Sequence, residues 1–165
     1  MRKSLVLLGL IASILAFAGI ASADSKTANV EVSATIIATC TVSTSDVKFG
    51  NVTGEDITNS PGNIAVNCPL NTPYQIAIGA GQHLSSERFV SDGTYSVLYR
   101  LMKDNYFGPQ WGDNDLENTY MWGSSVSDTG SGSSQDHTVY GRLMPFVGIP
   151  SGTTMTDSVT VTVYY

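Results

Sequence analysis

"TANVEVSATIIATC", Thr27–Cys40, sets apolar side chains on alternate positions: Ala28, Val30, Val32, Ala34 and Ile36. Asn29, Glu31, Ser33 and Thr35 stand between them. A period of two is the pattern of a β-strand with one buried face and one wet face. Such a strand has unpaired backbone groups along its edges and needs something to pair with. At Ile36–Ile37 the alternation slips, which turns every later side chain to the other face. The slip marks a hand-off from a leading segment to a separate strand near Cys40.

Upstream, "MRK" is a basic start, "SLVLLGLIASILAFAGI" an apolar run, and "ASA" at Ala21–Ala23 a run of small residues. This is the order of a secretory signal peptide, so residues 1–23 are expected to be removed. The apolar run, Ser4 to Ile20, has 17 residues, short of the roughly 20 that span a bilayer, and no basic stop follows it. Cleavage takes Arg2 and Lys3 away, leaving six Lys and Arg against 14 Asp and Glu, a balance of −8. So acidic a chain, with no basic run along it, argues against nucleic acid and an anionic membrane surface as partners. Two cysteines, Cys40 and Cys68, enter an oxidising compartment, and one intrachain disulfide is expected. It closes a loop of about 30 residues, worth about 3–4 kcal/mol in the chain-entropy account.

Downstream the same period recurs in short runs between turn residues. Val42 and then Val47 and Phe49 come first. Ile64, Val66 and Cys68 share a face, as do Tyr74, Ile76 and Ile78. A turn at Ser91–Asp92–Gly93 leads to Tyr95, Val97, Tyr99 and Leu101, followed later by Val139 and Leu143. "DSVTVTVYY" closes the series with Val159, Val161, Val163 and Tyr165 in phase. Six or seven strands with no helix between them predict an all-β antiparallel sandwich in one domain. The stretch Phe107–Asp136 is long and polar. Trp111 and Trp122 are expected to fold parts of it back on the sandwich, and "DTGSGSSQD" reads as a mobile loop.

Nothing in these runs carries catalytic chemistry. No G-x-S-x-G elbow is present, and His83 and His137 sit in polar stretches that read as exposed loops. Two cysteines and two distant histidines lack metal-ligand spacing. "DNDLEN", Asp113–Asn118, is acidic but lacks the spacing, glycine and terminal glutamate of a calcium loop. "NVT" at Asn51–Thr53 matches a glycosylation triplet that is common by chance. The expectation is no enzyme, no metal and no cofactor.

The order "VEVSATIIATCTVS", "VKFGNV", "VNCPLNTPYQIAIGAG", "LYRLMKDNYFGPQWG" and "VYGRLMPFVGIPSGTTMTDSVTVTVYY" resembles the spore coat protein U domain family. Members of that family include subunits of archaic chaperone–usher pili. The resemblance runs from about Val30 to Tyr165. It rests on Cys40 in "ATCTVS", Phe49–Gly50, Cys68 to Tyr74, Trp111–Gly112, Tyr140–Gly141–Arg142 and the closing "VTVTVYY". Met155 and the length between Asp113 and Gln135 depart from it. It implies an immunoglobulin-like sandwich that lacks its last strand, spanning residues 37–165. The implied donor segment is residues 24–36, with Ala28, Val30, Val32, Ala34 and Ile36 entering a neighbour. Val159, Val161, Val163 and Tyr165 would line the receiving groove, beside a strand after which the sequence supplies no further one. The implied partners are identical or related pilus subunits, a periplasmic chaperone and an outer-membrane usher, with passage through the periplasm to the cell surface for adhesion or biofilm formation. A self-contained secreted coat protein and a ligand-binding adhesin module, with the Trp111–Trp122 loop on its ligand, are the alternative expectations.

Overall fold

The computed structural model of the chain describes residues 25–83, 85, 87–113 and 123–165. The leader, Trp122 and most of "DNDLEN" lie outside these residues. The chain divides into two units, Met1–Thr35 and Ile36–Tyr165. In the first, residues 25–35 form no strand, and Val30 and Val32 are 84% and 88% exposed. The strand expected over Thr27–Ile36 is therefore not formed within this chain. The apolar residues that would drive it have no buried face to occupy.

The second unit contains eight strands among the described residues: β1 (Thr41–Ser45), β2 (Thr58–Asn67), β3 (Pro73–Ile78), β4 (Arg88–Ser91), β5 (Ser96–Met102), β6 (Val126–Thr129), β7 (Ser134–Leu143) and β8 (Val161–Tyr164). They form a five-stranded sheet in the order β1-β2-β7-β5-β4 and a three-stranded sheet in the order β6-β3-β8. All pairings are antiparallel. The all-β antiparallel sandwich read from the sequence is the observed fold.

The core is built from the predicted phases. Ile64 and Val66 of β2, Ile76 and Ile78 of β3, Val97 and Leu101 of β5, and Val139 and Leu143 of β7 are all buried. Each contributes about 1.5–3 kcal/mol of transfer free energy. Pro61, which has no N–H to give, sits beyond the last β1–β2 pair, where one side of β2 is already free of that ladder. Trp111 is 2% exposed and folds onto the core as expected.

Two loop expectations are corrected. "DTGSGSSQD" is not a mobile loop: it holds the end of β6, the start of β7 and a tight crossing between the sheets. Gly130 N donates to Thr72 O at 2.7 Å and Gly132 N to Cys68 O at 3.1 Å. The crossing is thus tied to the Cys40–Cys68 disulfide, which is formed. The histidines are not free loop residues either. His137 lies in β7 with its Nε2 2.9 Å from the Tyr74 hydroxyl, and His83 Nδ1 lies 3.2 Å from Asp157 Oδ1. Both were missed because their partners are more than 60 residues away in sequence.

Candidate functional site: the open margin of the sandwich

The two sheets are unequal, and the register shows where the smaller one stops short. Residues directly opposite across an antiparallel pair share a face. Val42 of β1 faces Val66 of β2, and Thr44 faces Ile64. Val66 and Ile64 are 0% and 1% exposed, so both pairs point inward. Yet Val42 is 44% exposed, and every residue of β1 is exposed. The five-stranded sheet therefore extends past the cover that the three-stranded sheet provides.

A second incompletely covered part of the core is β8. Val161 and Val163 lie opposite Ile78 and Ile76 of β3, on the inward face. They remain only half-buried against the core, as does Val159 just before the strand. Among the described residues β8 pairs with β3 alone, as an edge strand of the three-stranded sheet. The strand is shorter than its alternation suggested: Val159 and Tyr165 lie outside it, and Tyr165 is 59% exposed. Val47, Phe49, Val52, Phe146, Ile149 and Met155 are likewise partly covered apolar residues resting on the core. Gly141 of β7 lets this layer sit down, because a Cβ there would stand 2.3 Å from Val47 Cγ1 and 3.2 Å from Phe49 Cζ.

A buried polar knot fixes the start of β8. Thr156 exchanges backbone hydrogen bonds with Ser91 at 3.0 and 3.2 Å. The next side chain, Asp157, is 2% exposed. Its carboxylate accepts from Gln82 N at 2.9 Å, His83 N at 3.3 Å and the Tyr99 hydroxyl at 2.6 Å. Gly81, at φ +92°, leaves room for it, since a Cβ there would meet Asp157 Oδ2. Arg88 is also fully buried, 0% exposed. Its guanidinium donates to Gly79 O, Ile78 O and Trp111 O at 2.7–3.1 Å. Burial pushes the Arg88 pKa down, while Tyr99, Asp157, Asp113 and Glu87 oppose that shift. Burial, then the bond to Asp157, pushes the Tyr99 hydroxyl well above the usual phenol range. The sequence carried no hint of this knot, whose members fall between Ile78 and Asp157 with no local pattern.

At the other end of the three-stranded sheet, the Tyr74 hydroxyl donates to Asp128 Oδ2 at 3.3 Å. Burial, then the Asp128 charge, raises its pKa to about 12. Among the described residues no group of three or more His, Cys, Asp or Glu is placed to hold a metal ion.

The Spore Coat Protein U domain matches residues 26–162, most of the chain. The chain belongs to the Spore Coat Protein U domain family. No curated protein matches it significantly. Among solved structures it is similar to the CsuC–CsuE chaperone–tip adhesion subunit pre-assembly complex from archaic chaperone–usher Csu pili of Acinetobacter baumannii. That match has 21% identity and a TM-score of 0.57, and covers 79% of this chain and 41% of the solved one. The chain thus spans less than half the length of that relative, and at this identity the likeness is one of fold.

Proposed function

We propose that this chain is a structural subunit of a surface pilus assembled by the chaperone–usher route, with its open margin receiving a strand from another molecule. The observation that carries the reading is the contrast between Val42, 44% exposed, and its inward-facing partner Val66, fully buried. In this reading a strand from another molecule lies along the edge strand β8 and covers the margin by β-augmentation. A periplasmic chaperone supplies such a strand first, and a neighbouring subunit supplies it in the fibre, with an outer-membrane usher directing the exchange. The complex named above supports this assignment by fold and by its stated source. The chain then passes through the periplasm, after loss of residues 1–23, to a surface fibre serving adhesion or biofilm formation.

Residues 24–36 are the proposed donor. Val30, Val32 and Ile36, all highly exposed, supply the anchors, with Ala28 and Ala34 in shallower positions. Burying the three larger side chains is worth about 5–10 kcal/mol. Donor and groove are different surfaces, so the contact is head-to-tail and propagates into a filament.

The test is to express the chain with and without residues 24–36 and to supply a peptide spanning Thr27–Ile36. The expected result is that the truncated chain folds stably only with the peptide or a chaperone. The full chain is expected to form SDS-resistant ladders that Val32→Asp abolishes. A truncated chain that is a stable monomer without peptide overturns the reading.

A further inference from the structure

Cations are scarce in this acidic chain, and the fold brings two of them together. Arg88 and Lys103 are buried, Lys26 lies in the N-terminal unit, and Lys48 stands 3.5 Å from Asp46. Among the described residues the remaining two, Arg100 of β5 and Arg142 of β7, are direct cross-strand partners. Their neighbours Tyr99, Leu101, Gly141 and Leu143 point into the core, so both guanidiniums stand on the outer face of the five-stranded sheet. Like charges directly opposite one another destabilise a sheet. An anion bound between them removes that cost.

The protein supplies one carboxylate for the pair. Glu87 Oε1 accepts from Arg100 Nη2 at 2.7 Å. Among the described residues no acceptor takes a hydrogen bond from the Arg142 guanidinium, whose carbon instead sits 4.8 Å from the centre of the Phe107 ring. The Nε atoms of Arg100 and Arg142 are buried without an acceptor. Packing, more than protein acceptors, therefore holds these side chains, and much of their donor capacity is unused. Phe107 is 80% exposed. Beside Arg142 on the same face, Tyr140 packs edge-on against Tyr106 at 5.0 Å.

A guanidinium fork matches a carboxylate, and an exposed aromatic ring takes the flat apolar face of a ring-shaped ligand. We propose that Arg100, Arg142 and Phe107 form a binding site for a carboxylate-bearing sugar of an acidic polysaccharide. The site lies within one chain and does not depend on strand exchange.

Titration calorimetry of the full chain with oligogalacturonate, at low and at physiological salt, tests this. Binding is expected, weaker in salt, and reduced about tenfold or more by Arg142→Gln. Phe107→Ala, at an exposed position that leaves the fold intact, is expected to weaken oligogalacturonate several-fold. Its melting temperature and that of Arg142→Gln serve as folding controls, and Phe107→Ala decides if Arg142→Gln does not fold. No binding by the parent chain, or unchanged binding by folded Arg142→Gln or by Phe107→Ala, overturns the proposal. Equal binding of poly-glutamate, equal binding of neutral dextran, or full competition by inorganic phosphate also overturns the assignment to a sugar acid.

Discussion

Asp157 is a carboxylate held almost out of water by two backbone N–H groups and the Tyr99 hydroxyl, with the buried Arg88 close enough to act on its charge. Replacing the carboxylate leaves its buried donors, the two backbone N–H groups and the Tyr99 hydroxyl, without a charged acceptor. Asp157→Asn is therefore expected to lower stability by about 2–4 kcal/mol, read by denaturant unfolding of the strand-complemented chain. Tyr74 gives a pH prediction. Its pKa rises from 10.0 to about 12 on folding, so it favours the folded state below pH 10. That contribution is lost as pH rises from 10 through about 12. Melting temperature is expected to fall over this window, and Tyr74→Phe is expected to flatten the fall.

At the scale of elements, the partly covered layer depends on how closely β7 and β2 let Val47 approach. Gly141→Ala puts a methyl 2.3 Å from Val47 Cγ1 and 2.9 Å from Ser60 O. A backbone oxygen cannot step aside cheaply. The substitution is expected to cost about 1–3 kcal/mol, measured as a shift in the denaturation midpoint. This element also shows what the sequence could say. The phases of β2, β3, β5 and β7 were legible because a strand with one buried face writes its burial into every second residue. The Cys40–Cys68 bond was legible from compartment and count. Val42 looked like a core residue and is not one, because its exposure is set by where the other sheet ends, which no local pattern records. Thr27–Ile36 has the pattern of a strand but not the partner. Arg100 and Arg142 are 42 positions apart in the sequence, and only the β5–β7 register makes them neighbours.

At the scale of the molecule, the open margin and the arginine pair do not compete. One involves the poorly covered inner face of β1 and the edge strand β8. The other is on the outer face of the five-stranded sheet. A head-to-tail fibre would bury the first in every subunit and repeat the second along its length. Weak single-site affinity for a polymeric ligand would then become avidity, provided the spacing of subunits suits the ligand.

The placement of the disulfide has a mechanical consequence. Cys40 is the last residue before β1, and Cys68 directly follows β2. A pull on the segment preceding Cys40 enters the body through a covalent bond at the β2–β3 junction, beside the Gly130 crossing. It does not peel β1 away from β2 one hydrogen bond at a time. The short, exposed β1 is thereby kept out of the load path, and tension is delivered to β2 and β3, whose Ile64, Val66, Ile76 and Ile78 are core residues. Under reducing conditions the same pull would reach β1 first and unzip it, so the rupture force of the oxidised chain is set by its interior and that of the reduced chain by its weakest edge.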